Sequence, residues 1–318
     1  MEILLEKNYI DKGLVLYGNG VEYKVKVGEV EIDAKLRGKL LHITKRSHHP
    51  VCAGDYVRLL KQKEGSYFID KILPRRNKIS RPANLHIRKE QVLSANIDLL
   101  FIVSSVSSPS LNPAFIDRLL VFSENQDIDT YLIINKCDLD ISNEEENFIS
   151  EYKRIGVKVI KTSAVDDTNI EKLRDLCNGK ITSFIGKSGV GKSSILNRID
   201  GSFLQKVGDI SDYSSKGKHT TKQARLFPLK FGGYIIDTPG IKEFGLWQMK
   251  PEELKRYFPE IHNLSDRCKY SNCNHINEPN CAVQDAYKEG IIPDFRYDNY
   301  LKIYESLKEW NTIYFKKD

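Results

Sequence analysis

Alternation of apolar and polar residues marks the start of the chain. In "GVEYKVKVGEVEIDAKL" Val21, Tyr23, Val25 and Val27 fall on one face, the period of a half-buried strand. "GNG", "VG" and "AGD" punctuate the pattern with turn residues. Several short strands with closely spaced turns predict a small β-barrel. Leu73–Pro82, "LPRRNKISRP", is bounded by prolines and rich in Arg and Lys, and reads as a linker. Beyond it the pattern changes to short apolar runs, "IDLLFIV", "TYLIIN", "VKVIKTS", "ITSFIG" and "GYIIDT". Helical segments such as "NPAFIDRLLVFSEN" and "SSILNRI" lie between them, which predicts βαβ units and a mostly parallel sheet. The last part is helical again, interrupted by a cluster of Cys and His. Its final stretch, "DNYLKIYESLKEWNTIYFKKD", places apolar residues at helical spacing, as a packed helix face does. The expected domains are 1–72, 83–245 and 246–318, with 73–82 as the connection.

Composition narrows the class. A chain of 318 residues suits two or three domains. No apolar stretch approaches the roughly 18 residues a membrane span needs, so no membrane partner is expected. The start, "MEILLEKNYI", has two acidic residues and no basic flank or cleavage site, which favours the cytoplasm. The net charge of +6 is uneven. Residues 1–82 hold 17 Lys/Arg against 10 Asp/Glu, which leaves 32 against 33 of the totals 49 and 43 for the rest. A basic barrel beside a near-neutral remainder suggests an oligonucleotide-binding type with a polyanion partner.

The chemistry lies in four short motifs. "GKSGVGKS", Gly186–Ser193, fits G-x-x-x-x-G-K-[ST] between a buried-strand candidate and a helix. Its glycines let successive backbone N–H groups of Gly186, Lys187, Ser188, Gly189, Val190 and Gly191 wrap phosphate oxygens, continuing to Ser194. Lys192 would reach the terminal phosphates, and the Ser193 hydroxyl would ligate magnesium. "NKCD", Asn135, Lys136, Cys137 and Asp138, gives two acceptor oxygens on Asp138 for the ring N–H and exocyclic amine of guanine, a donor pair that adenine lacks. Lys136 can lay its stem along the base, and Asn135 can tie this loop to the phosphate loop. "TSA" ends in Ser163 and Ala164 and can offer a backbone N–H to the guanine carbonyl. "DTPG" supplies Asp237 behind magnesium and the Gly240 N–H for the terminal phosphate.

Each motif directly follows an apolar run, so in a parallel sheet all four share one strand-end edge, where ligands of open α/β sheets bind. Only their order is unusual, because the guanine reader precedes the phosphate loop. A circular permutation, with the cut after the DTPG strand, restores the site in space.

The order NKxD, SA, GxSGVGKSS, HTT, DTPG and then a Cys/His cluster resembles the circularly permuted RsgA (YjeQ) GTPase family. "AGDYV" in the first domain and "SRP" before the second extend the similarity to nearly the whole chain. The resemblance implies an N-terminal OB-fold that binds ribosomal RNA, a permuted P-loop α/β GTPase domain and a C-terminal helical zinc-binding domain. It also implies binding of GTP and GDP, with hydrolysis that is slow alone and stimulated by the small ribosomal subunit, in late assembly of that subunit. A monomer is expected.

Two local features bear on mechanism. Ile241 stands where many GTPases place a water-orienting Gln after the DxxG glycine, and its side chain makes no hydrogen bond. "KGKHTT" lies where the first switch belongs. His219 is the nearest water-orienting candidate, with Lys218 as the family's basic residue before it. The resemblance makes a threonine here the second magnesium ligand, Thr221 or its neighbour Thr220.

Six cysteines in a cytosolic chain do not suggest disulfides. Cys268-x4-Cys273-x-His275-x5-Cys281 supplies three thiolates and an imidazole, a closed tetrahedral set suited to structural zinc. "SHHP" lacks a nearby third ligand and reads as a surface turn. The missing Gln keeps one alternative open, a nucleotide-switched RNA-binding module with negligible turnover. A permuted GTPase of the large subunit is disfavoured by the barrel before and the Cys/His cluster after the GTPase domain.

Overall fold

The computed structural model describes residues 9–38, 40, 50–62, 64–84, 87–203, 224–237, 246 and 249–315. These group into two compact units. One draws on Met1–Leu99, Asp175–Ser183 and Asp200–Glu243, the other on Leu100–Arg174, Phe184–Ile199 and Phe244–Asp318.

In the first unit, β1 (Tyr9–Gly18), β2 (Glu22–Val27), β3 (Val30–Leu36), β4 (Tyr56–Lys61) and β5 (Tyr67–Ile72) close into a barrel in the order β1-β2-β3-β5-β4. All neighbours are antiparallel except β3 and β5. Closure removes the exposed strand edges that invite aggregation. The interior holds Val15, Tyr23, Val25, Ala34, Leu36, Val57, Leu59 and Ile69. The alternation from Tyr23 to Val27 thus points inward, but Val21 does not. It precedes the first residue of β2 and is 62% exposed, because its backbone N–H is turned to the Asn19 side chain.

Leu73–Pro82 is only partly irregular. Lys78–Asn84 forms β6, which pairs antiparallel with β7 (Ile87–Ala95) as a two-stranded hairpin. The short alternating "KIS" is enough to start a strand once a partner is present, and proline is tolerated in a sheet of two edges. Just before it, Arg75 donates to both oxygens of Asp55, at 2.6 and 2.8 Å. The "AGDYV" aspartate is therefore a buried anchor, which also accepts the Cys52 N–H.

A six-stranded sheet runs in the order β10-β9-β8-β11-β13-β12. Its strands are β8 (Leu99–Ser105), β9 (Asp129–Asn135), β10 (Lys158–Lys161), β11 (Ile181–Ile185), β12 (Arg225–Pro228) and β13 (Tyr234–Asp237). Residues of β8 and β11 are buried throughout, the signature of central parallel strands. The chain enters at β8, moves outward through β9 and β10, and returns at β11 to build the other side. That reversal places the switch point of the sheet between β8 and β11. β12 is the exception to parallel pairing, an antiparallel edge against β13. Within the first unit, Leu16 and Ala53 of the barrel region share a small core with Ile181, Ala224, Leu226 and Ile236. Arg225 lays its guanidinium 3.6 Å from the Tyr17 ring centroid.

In the second unit, α1 (Pro113–Asn125), α2 (Asn143–Arg154), α3 (Ile170–Cys177) and α4 (Lys192–Ile199) alternate with the strands, α3 ending at the boundary of the units. Ser142 and Glu145 form a capping box on α2, and Asn112 caps α1. A 3₁₀ turn (Pro251–Tyr257), α5 (Pro259–Ser265), α6 (Ala282–Lys288) and the long α7 (Asp294–Phe315) follow. Arg296 of α7 pairs with Asp117 of α1 and Glu260 of α5, each at 2.5 Å, and all three are buried or nearly so. Asn299 and Tyr152 donate to the same Asp117 carboxylate, at 2.6 and 2.7 Å. Burial pushes the Asp117 carboxyl up, and the Arg296 charge opposes it. Removing Arg296 leaves two buried carboxylates without their cation, at a cost of about 3–5 kcal/mol. Among the described residues no helix is long and apolar enough to cross a membrane.

Candidate functional site

The phosphate-loop segment joins β11 to α4, and its geometry depends on two close approaches. A Cβ on Gly186 would lie 2.2 Å from the Val103 carbonyl oxygen, and one on Gly191 would lie 2.2 Å from Asn135 Nδ2. Gly191 also has φ +93°. Both glycines are fixed by what touches the loop. Lys192 Nζ donates to the Gly186 and Lys187 carbonyls at 2.7 and 2.8 Å, curling the loop around its ammonium, and burial lowers its pKa. Ser188, Ser193 and Ser194 are exposed.

The NKCD loop is fastened to this one. Asn135, buried at the end of β9, donates from Nδ2 to the Val190 carbonyl at 2.9 Å and accepts from Thr162 Oγ1 at 3.2 Å. One amide therefore links three loops. Lys136 adopts φ +64°, and its Nζ donates to the carbonyls of Ser107 and Ser108, at 3.1 and 2.6 Å. Cys137 donates its backbone N–H to the Thr162 carbonyl at 3.0 Å. Asp138 is exposed, with no hydrogen-bond or ion-pair partner among the described residues, so both carboxylate oxygens can accept from a ligand. Ser163 is buried and Ala164 half-buried. Asp237 closes β13, the parallel neighbour of β11. Gly240, His219, Thr220, Thr221, Lys218 and Ile241 lie outside the described residues.

A second constellation gathers in the C-terminal helices. The ligand atoms of Cys268, Cys273, His275 and Cys281 all lie within 4.8 Å of one another. Cys268 and Cys281 sulfurs are 3.9 Å apart, and His275 Nδ1 is 3.5 and 3.4 Å from them. A tetrahedral ion with metal–sulfur bonds of about 2.3 Å needs sulfurs roughly 3.8 Å apart, so the set fits a metal. Ser265 Oγ donates to the Ile261 carbonyl at 2.9 Å, and its oxygen lies 3.0 Å from His275 Nε2. With the hydroxyl proton committed, Nε2 must carry the imidazole hydrogen, which leaves the Nδ1 lone pair facing the sulfurs. Burial, helped by Lys255, holds His275 down at about 4, so it is neutral, as a ligand must be. The peptide carrying these ligands is held from outside. Tyr297 and Tyr300 of α7 donate to the carbonyls of His275 and Asn274, at 2.6 and 2.8 Å, and Lys255 donates to that of Cys273 at 2.9 Å. α7 thus grips the cluster through Tyr297 and Tyr300 and α1 through Arg296 and Asn299.

Residues 72–247 match the model of the RsgA GTPase family. A relative from Phocaeicola vulgatus, the small ribosomal subunit biogenesis GTPase RsgA, is 39% identical over 302 residues, 94% of this chain and 97% of that one. The chain belongs to the RsgA GTPase family.

Two crystal structures share the RsgA architecture. YjeQ from Thermotoga maritima superimposes with a TM-score of 0.73 at 32% identity, covering 94% of this chain and 98% of its own. YloQ, a circularly permuted GTPase, gives 0.70 at 27%, covering 97% and 98%. The permuted order expected from the motifs agrees with the sheet order β10-β9-β8-β11-β13: TSA follows β10, NKCD begins at the end of β9, the phosphate loop follows β11 on the other side of β8, and Asp237 ends β13.

Sequence reasoning missed the supports. Ser107 and Ser108 act through carbonyls, which every residue has. Ser265, Tyr297 and Tyr300 sit in helical patterns that resemble any packed face. Arg198 on α4 gave no signal, because its partners lie 33 and 34 residues away.

Proposed function

We propose that this RsgA-family chain hydrolyses GTP to GDP and phosphate in the maturation of the small ribosomal subunit, binding ribosomal RNA through the basic barrel of residues 1–72. The observation that carries the nucleotide site is the Asn135 amide, which holds the guanine-reading loop on the phosphate loop at 2.9 Å. In this reading Asp138 takes the two base N–H groups, the Lys136 stem covers the base, and the Ala164 N–H meets the base carbonyl. The backbone from Gly186 to Ser194 and the Lys192 ammonium take the phosphates, while Gly240 meets the terminal one. Ser193 and Thr221 would hold magnesium, with Asp237 behind them; bound there, magnesium would supply charge neutralisation between the phosphates. His219 orients the attacking water, since Ile241 cannot. The protein works in the cytoplasm as a monomer.

The reading is tested by nucleotide titration. The unmodified protein should prefer GTP to ATP. Asp138→Asn should weaken GTP about tenfold or more, since the loss of a charged hydrogen-bond pair exceeds about 1.4 kcal/mol. The same variant should bind xanthosine triphosphate better, because an amide can donate to the new base carbonyl. Equal binding of GTP and ATP by the unmodified protein would refute base recognition.

We further propose that the Cys₃His set holds one structural zinc ion, with residues 246–318 as the domain it stabilises. The three sulfurs and one nitrogen are the donors zinc favours, and they leave no position for water. Elemental analysis should find one zinc per chain. Cys273→Ser should lose it and make the segment after residue 246 sensitive to protease, because metal affinity is folding energy here. Full protease resistance in the metal-free variant would argue that packing alone holds the segment.

A further inference from the structure

The loop that offers Ala164 to the base is braced from an element no motif includes. Arg198 lies in the last turn of α4, the helix that begins at Lys192 of the phosphate loop. Its Nε donates to the Ala164 carbonyl at 2.9 Å and its Nη2 to the Val165 carbonyl at 3.2 Å. The same guanidinium lies 3.3 Å from the Asp167 carboxylate. Arg174 fixes the end of α4 in turn, donating to the carbonyls of Ile199 and Arg198, each at 3.1 Å.

From Ser163 to Asp166 the N–H groups other than that of Ala164 are already committed. Ser163 N–H goes to the Thr168 carbonyl at 3.3 Å, and Ser163 Oγ accepts from Val165 and Asp166, at 3.1 and 3.4 Å. From Ser163 to Asp166, the Ala164 N–H is the one without an acceptor among the described residues. Asp167 and Asn169, further along the loop, are exposed, whereas Ala164 is half-buried, and a half-buried unpaired N–H is a donor that a ligand would complete. The two carbonyls gripped by Arg198 belong to the two peptide planes that follow the one carrying this N–H, so the guanidinium anchors the backbone from the Ala164 Cα onward and limits how far that N–H can turn.

We infer that Arg198 is a positioning residue for base specificity, aiming the Ala164 N–H at the 6-carbonyl oxygen of guanine from the helix that follows the phosphate loop. This rests on the guanine-site reading above. It makes base recognition and phosphate binding parts of one rigid body, since α4 carries Lys192 at one end and the brace of the base loop at the other.

The test compares GDP with IDP and 6-thio-GDP on the full-length protein, with ADP as the adenine control. GDP and IDP both carry the 6-oxygen, and IDP lacks only the exocyclic amine assigned to Asp138. 6-Thio-GDP keeps both base N–H groups but replaces that oxygen with a weak acceptor. The unmodified protein should bind GDP more tightly than either analogue. Arg198→Met keeps the aliphatic stem and removes the donors. It should weaken GDP and IDP equally, about 3- to 10-fold, as loss of one neutral hydrogen bond does, and leave 6-thio-GDP nearly unchanged. Arg198→Lys, which retains a donor, should fall between. If the Met variant weakens all three by the same factor, Arg198 is only a structural tether and the inference is overturned. Equal binding of GDP and 6-thio-GDP by the unmodified protein would overturn it too. Failure of the underlying guanine site looks different, with GDP, IDP and ADP bound alike by the unmodified chain.

Discussion

Lys192→Ala should lower kcat/KM for GTP about 10²- to 10³-fold, the usual loss when one preorganised charge donor is removed from a transition state. Nucleotide affinity should fall with it. The ammonium sits within the loop, bonded to the carbonyls of Gly186 and Lys187, so it shapes the loop, and in the proposed site it would also carry charge to the phosphates. The structural share can be separated from the charge share. Asn135 binds the loop independently at Val190, so the variant should keep its fold and its preference for guanine over adenine. Steady-state kinetics with nucleotide titrations read both quantities. A variant that loses affinity but keeps kcat would show that Lys192 binds ground state and transition state equally.

The second large effect concerns His219. His219→Ala should leave nucleotide affinity nearly intact, because the proposed site holds base and phosphates with other residues. It should abolish most of the turnover stimulated by the small subunit, a loss of about 10²-fold or more, the scale of a positioned acid, base or water-orienting group. The contrast with Lys192 is the informative part, since one change damages binding and chemistry together and the other chemistry alone. Normal stimulation of the His219 variant would move the water-ordering role to another residue or to the ribosome.

How much of this was legible in the sequence follows from the range of the interactions. Strand, loop and helix around Gly186 are local, set by an apolar run, glycines and a helix start within about fifteen residues, and they form as expected. The Asn135 tie was also foreseeable, because its amide needed a partner and the phosphate loop was the neighbour that the sheet edge would bring. Arg296 was not. In "DFRYDN" it looks like one more solvated charge, and only an Asp117 partner 179 residues away makes it a buried clamp. β12 escaped notice because four residues ending in proline carry too little alternation to identify an edge strand. β6 was hidden for a related reason, since its pairing with β7 outweighs a basic, proline-bearing composition. The Cys/His cluster was visible as ligand spacing, whereas the Ser265 hydroxyl that sets the imidazole tautomer depends on a hydrogen bond ten residues away in chain.

The proposal with most at stake is that this permuted chain is a working GTPase stimulated by the small ribosomal subunit. Phosphate release from GTP by the unmodified protein, measured with and without purified small ribosomal subunits, tests it most directly. Slow release alone, accelerated many-fold by small subunits and not by large ones, is the predicted result. Release that stays slow while the protein binds small subunits and GTP would contradict it, and would make this chain a nucleotide-switched RNA-binding module instead.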